Sequence, residues 1–244
     1  AMWTDVMATS GYGYSPNWSV SNGRGDLYPA YEMSWYDAIA FANALSVLTG
    51  REECYGNTDD PDVDFEQLYA PDDLDAQFPT PYDCTGFRLL TEAEWEYAAR
   101  SGTTSGFWTG QGSALGGNYS SNTITGTETI LDGASNPFLR DYAWYAGNYN
   151  NQYGGGGSKE VGQKFPNGFG LYDVHGNLRE WTADWLGCSF PPTSTDPYCD
   201  SIGYRVSRGG VWHNDPRSMQ ASYRGYDGPG GRNSYVGCRL VLPL

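Results

Sequence analysis

"TEAEWEYAARSG", residues 91–102, is the stretch that decides the architecture. Thr91 followed three residues later by Glu94 is a capping box, in which each side chain accepts from the other residue's main-chain N–H, so a helix starts here. Trp95, Ala98 and Ala99 form its apolar stripe, and Gly102 supplies a stop. The pattern recurs in "SWYDAIAFANALSVLTG", residues 34–50. Ser34 caps that segment and Asp37 stands three residues on. Trp35, Ala38, Ile39, Ala42, Leu45 and Leu48 follow the helical period, and Gly50 ends it. Beyond residue 102 the chain is short apolar pieces among Gly, Asn, Ser and Thr. Two early helices followed by short strands and ordered loops define an α+β fold with little regular structure.

The 244 residues suit one domain over 1–244, with an acidic insertion at about 51–84 that carries Asp59, Asp60, Asp62, Asp64, Asp72, Asp73 and Asp75. Those aspartates lack the EF-hand spacing and read as a solvated insertion. A net charge of −15 argues against nucleic acid, which needs a basic face. No run of 18 apolar residues exists, so no segment spans a membrane. The chain opens abruptly at "AMWTDVM", and a leader and first strands are expected ahead of it. Cys54 and Cys84, 30 residues apart, and Cys188 and Cys199, 11 apart, read as loop-closing disulfides. These imply an oxidising, extracytoplasmic setting: secreted, periplasmic or cell-surface. The fifth cysteine, Cys238, reads as a buried free thiol.

Four phrases stand in one order: "GFRLLTEAEWEYAARSG" (86–102), "PNGFGLYDVHGNLREWTADW" (166–185), "SRGGVW" (207–212) and "VGCRLV" (236–241). With the helix "MSWYDAIAFANALS" (33–46), they closely resemble the formylglycine-generating-enzyme (sulfatase-modifying-factor) family. That resemblance implies a C-type-lectin-like fold, with two helices on a small twisted antiparallel sheet and extensive ordered loops. Formylglycine-generating enzymes hold copper(I) with two cysteines just after the RGG motif, and thiolates suit that soft ion. Counting from Arg208, those positions are Asn214 and Met219, so no copper is expected. The ergothioneine-pathway sulfoxide synthases, another enzymatic branch, need three iron-binding histidines, whereas this chain has only His175 and His213.

The same resemblance implies a structural calcium loop in "DVHGNLRE". Its ligands would be side-chain oxygens at Asp173 and Glu180 and main-chain carbonyls at Gly176 and Leu178. The alternative is a tight Gly-Asn turn with Glu180 exposed or paired with an arginine. A second family calcium loop falls within 118–157, where no ligands can be aligned.

Residues 212–235 combine rigid aromatics with hydrogen-bonding and forked donors, the mixture that binding loops favour. The ligand-facing set is Trp212, His213, Asn214, Asp215, Arg217, Gln220, Tyr223, Arg224, Tyr226, Asp227, Arg232, Asn233 and Tyr235. The composition also resembles the variable proteins of diversity-generating retroelements, several of which carry a C-terminal variable region on this fold. The expectation is a non-catalytic binding domain for a protein or small-molecule ligand. The alternative is a formylglycine-generating-type oxidoreductase with a non-standard active site.

Overall fold

The computed structural model describes residues 2–9, 18–56, 78–109, 139–148, 156–189, 191 and 194–243. The acidic run between Asp59 and Asp75 lies outside these residues, as does most of 118–157.

Four α-helices occur among the described residues: α1 (Met2–Thr9), α2 (Trp35–Leu48), α3 (Glu92–Arg100) and the single-turn α4 (Leu139–Tyr142). Both expected capping boxes form. Ser34 and Asp37 exchange bonds at the start of α2, and Thr91 and Glu94 do so at α3. Ser101, in the left-handed conformation at φ 50°, ends α3 ahead of Gly102. The first ten residues of α2 are buried all round, more than an amphipathic stripe requires. One reason is α1, which covers its outer side and stacks Trp3 on Phe41 at 4.7 Å.

Among the described residues, six short strands follow the order β1 (Arg88–Leu89), β2 (Arg179–Trp185), β3 (Arg205–Arg208), β4 (Gly225–Asp227), β5 (Val236–Cys238) and β6 (Leu240–Val241). The main sheet has the order β4-β3-β2-β5, and β1 pairs separately with β6. The expected sheet is antiparallel; the observed one is mixed, because β5 runs parallel to β2. The chain leaving β4 crosses α2 before re-entering the sheet. Trp35 N–H donates to the Pro229 carbonyl at 2.9 Å, and Arg232 forks onto Asp37 at 2.9 and 3.1 Å. The chain therefore enters the far edge of β2 from the direction that makes the pair parallel.

Indole N–H groups lock α2 and its flank to the sheet. Trp35 donates to the Thr182 carbonyl at 2.8 Å, and Trp181 donates to the Met33 carbonyl at 3.1 Å. Between Trp35 and Trp185 lies the guanidinium of Arg205, 3.7 and 3.6 Å from the two ring centroids. Stacking of this kind lets a cation enter an aromatic core. Cys54–Cys84 and Cys188–Cys199 are disulfide-bonded as their spacing suggests, and Cys238 is unpaired. Among the described residues, no helix is long and apolar enough to cross a membrane.

Candidate functional site

The segment after β3 is shaped by the RGG motif. Gly210 adopts φ 77°, and a Cβ there would stand 2.2 Å from Met219 Cε and 2.5 Å from the Ser218 carbonyl oxygen, so only glycine fits. Arg208 is buried and works as a staple. Its guanidinium meets Glu92 at 3.1 Å, pairs with Glu96, and donates to the Ala221 and Tyr223 carbonyls at 2.8 and 2.9 Å. One side chain thus ties α3 to the loop that leads into β4.

At the two positions aligned with copper thiolates the side chains have other work. Asn214 Oδ1 accepts from Val211 N–H at 3.1 Å and closes a turn. Met219 is fully buried with Phe107, Leu139, Tyr142 and Tyr145. Behind it, His175 donates from Nδ1 to the Met219 carbonyl at 2.6 Å. Burial holds this imidazole down at about 4, so it is neutral at pH 7. Asp215 caps the short 3-10 turn Pro216–Met219 by accepting from Arg217 and Ser218 N–H groups.

The thirteen residues of the expected ligand-facing set divide into two groups. Arg224 pairs with Glu92 at 2.6 Å, Arg232 with buried Asp37, and Asp227 with Arg179. Gln220 is buried, and the Asn233 carbonyl accepts from Glu32 N–H at 3.0 Å. These residues, with Asn214 and Asp215, fasten the segment to the body. Of the remainder, Trp212 and Tyr235 are half-buried, Tyr235 against the main core, and the other four are exposed. His213 stands between Trp212 at 4.6 Å and Tyr235 at 6.0 Å, and Arg179 lies over the Tyr235 ring at 5.0 Å. Partial burial, then the charge of Arg179, lowers the His213 pKa. Arg217, Tyr223 and Tyr226 are exposed. Sequence reasoning missed Tyr204, which is exposed and tilted against Tyr226 at 5.3 Å. It lies outside the 212–235 window, and only the β3–β4 pairing brings it alongside.

The calcium-loop residues sit at the start of β2. Asp173 Oδ2 accepts from Gly162 N–H at 2.9 Å, whereas Oδ1 is buried without a hydrogen-bond partner. Burial raises the Asp173 pKa, and the nearby Glu180 charge adds to this. Glu180 receives a forked pair from Arg239 and the Trp95 indole N–H at 2.7 Å. Among the described residues, no three His, Cys, Asp or Glu side chains gather as a metal cluster. The calcium set draws two of its four ligands from the main chain. Glu180 is thus paired with an arginine, the alternative to a calcium ligand, while the all-oxygen chemistry of the set and the unpartnered Asp173 Oδ1 would suit a hard cation.

Comparison with known proteins extends these observations. The family model for the sulfatase-modifying factor enzyme 1-like domain matches residues 2–244. The chaperone protein LppX of Paenibacillus barcinonensis is 30% identical over 98% of this chain and 75% of its own length. A formylglycine-generating enzyme of Thermomonospora curvata is 34% identical over 51% of this chain and 38% of the enzyme. Among solved structures, Treponema denticola variable protein 1 superposes with a TM-score of 0.64 at 31% identity, covering 99% of this chain and 80% of that one.

Proposed function

The chain belongs to the sulfatase-modifying factor enzyme 1-like family, and on that premise we propose that it works by recognition and not by the family's oxidation chemistry. The observation that carries this reading is the pair Asn214 and Met219. An amide committed to a turn and a thioether sealed among aromatics stand where the family's copper thiolates would be. An aromatic and polar surface around Trp212, His213, Arg217, Tyr223, Tyr226 and Tyr235 remains on a rigidly fastened loop. Rigid aromatic anchors on a preorganised support suit binding of a protein or small-molecule ligand. Two similarities that cover nearly all of this chain support this direction: one relative is named a chaperone, the other a variable protein.

The test is direct. Purified protein supplied with copper(I), oxygen and a cysteine-containing sulfatase-type peptide is expected to yield no formylglycine by mass spectrometry and to consume no oxygen. Turnover would establish the oxidoreductase alternative.

Two further elements complete the proposal. The two disulfides support an extracytoplasmic setting, since thiol–disulfide poise in the cytosol favours reduction. Calcium, held by Asp173, Glu180 and the Gly176 and Leu178 carbonyls, serves as a structural ion that stiffens the start of β2. At a hundredfold excess over its Kd, such an ion stabilises by about 2.7 kcal/mol. Chelation with EDTA is therefore expected to lower Tm by roughly 5–10 °C in a domain of this size. An unchanged Tm would remove the ion from the account.

A further inference from the structure

On the side of β5 away from the RGG segment lies a cavity of about 470 Å³, and no residue of 212–235 lines it. That volume falls within the range of small-molecule sites, about 300–1,000 Å³. Its apolar walls come from Trp3, Trp18, Met33 and Phe41, and its far end from Asp173, Glu180 and Cys238. Burial pushes the Cys238 thiol up to about 12, so it is an inert part of the lining.

Arg24 stands at this cavity on the turn Gly23–Asp26. Gly23 has φ 94°, and a Cβ there would meet Ser158 Oγ and Tyr28 Cδ1 at 2.6 Å. The turn is held from below, with Ser158 N–H donating to the Asn22 carbonyl at 3.0 Å and Val161 N–H to the Leu27 carbonyl at 2.8 Å. Arg24 is thereby presented on a fixed support.

Arg24 is itself exposed, with its guanidinium available to a ligand at this cavity. Eight arginines of this acidic chain form ion pairs among the described residues: Arg88, Arg100, Arg140, Arg179, Arg208, Arg224, Arg232 and Arg239. Arg24 forms none among them. Trp3, also in the lining, is 5% exposed, and its Nε1–H has no acceptor among the described residues. At the far end the charges are offset: Arg239 neutralises Glu180, and Asp173 lies in the field of Arg239 and Lys164. Asp173 Oδ1 is the oxygen assigned to calcium. The lining thus offers the Arg24 guanidinium and the Trp3 indole N–H as donors beside aromatic side chains, with the Asp26 carboxylate two residues from Arg24 on the same turn.

We propose that this cavity binds an amphipathic organic anion, a carboxylate on an apolar body, with the carboxylate on Arg24 and the body between Trp3, Trp18, Met33 and Phe41. The forked guanidinium suits a carboxylate geometrically, and the rigid aromatic wall supplies area without a large entropic cost.

Dodecanoate below its micellar concentration is the probe, titrated into the full chain by calorimetry and by tryptophan fluorescence. Saturable binding at one site per chain is expected. Arg24→Gln should weaken it by about tenfold or more, as loss of a charge-assisted bond requires. Arg51→Gln, a change of the same charge over the Phe87 ring, should leave the affinity unchanged. Absence of saturable dodecanoate binding would overturn the proposal. Equal affinity for dodecyltrimethylammonium, or an Arg24→Gln variant that binds like wild type, would do the same. These outcomes are independent of the recognition surface and of the formylglycine assay.

Discussion

Replacement of Arg208 by alanine is expected to lower the unfolding free energy by about 3–5 kcal/mol, the range for breaking a buried ion pair. The side chain is 2% exposed and serves four partners, Glu92, Glu96 and the Ala221 and Tyr223 carbonyls. Alanine would strand the two carbonyls and leave Glu92, itself 8% exposed, facing Arg224 alone. Denaturant titration should show the loss as a lowered midpoint, and melting should fall by about 10 °C. Arg208→Lys should recover less than half of it, because one ammonium cannot span two carboxylates and two carbonyls together. A loss below about 1 kcal/mol would mean that the loop holds its shape without the staple.

A second large effect concerns pH. Asp184 is buried on β2, where its two oxygens accept from Glu92 N–H at 2.6 Å and Cys199 N–H at 2.9 Å. Burial nevertheless pushes its pKa up from 3.8 to about 6, with the Glu92 charge contributing. A raised folded pKa means that the folded state binds the proton more tightly than the unfolded chain. This contribution to stability is full below pH 3.8 and is lost as pH rises through about 6. At about 1.4 kcal/mol per tenfold change in proton affinity, it is worth about 3 kcal/mol. Asp184→Asn removes the titration. The stability of wild type minus variant, from urea unfolding at each pH, should therefore increase by about 2.5 kcal/mol between pH 7 and pH 4. A difference that stays flat, or shrinks on acidification, would contradict the assignment.

What the sequence disclosed was local. The capping boxes at Ser34 and Thr91 are visible because cap and answering residue lie three apart, and loop-closing cysteines announce themselves by spacing. The four-motif resemblance carried the fold further than periodicity did, since five of the strands have only two to four residues and the seven-residue β2 is buried along nearly all its length, so none shows an alternation to read. The parallel placement of β5 was hidden for a different reason. It depends on Arg232 meeting Asp37 across 195 residues of sequence, and no local pattern encodes that. Composition also misled within the C-terminal segment. An arginine in a tyrosine-rich loop has the same letter whether it faces a ligand or, like Arg224, a buried glutamate. The cavity beside Arg24 was invisible because α1, the Gly23–Asp26 turn and β5 meet there only in three dimensions.

The alternation of inward and outward residues between Arg208 and Tyr235 has an evolutionary consequence. Arg208, Arg224 and Arg232 anchor the segment to carboxylates on α2 and α3, while His213, Arg217, Tyr223 and Tyr226 project between the anchors. Changes at sites without shared partners add independently, and surface changes away from such anchors usually cost within about 0.5 kcal/mol. The projecting positions can thus be rewritten across generations with little threat to folding, so that affinity and stability become separately heritable traits of one short segment.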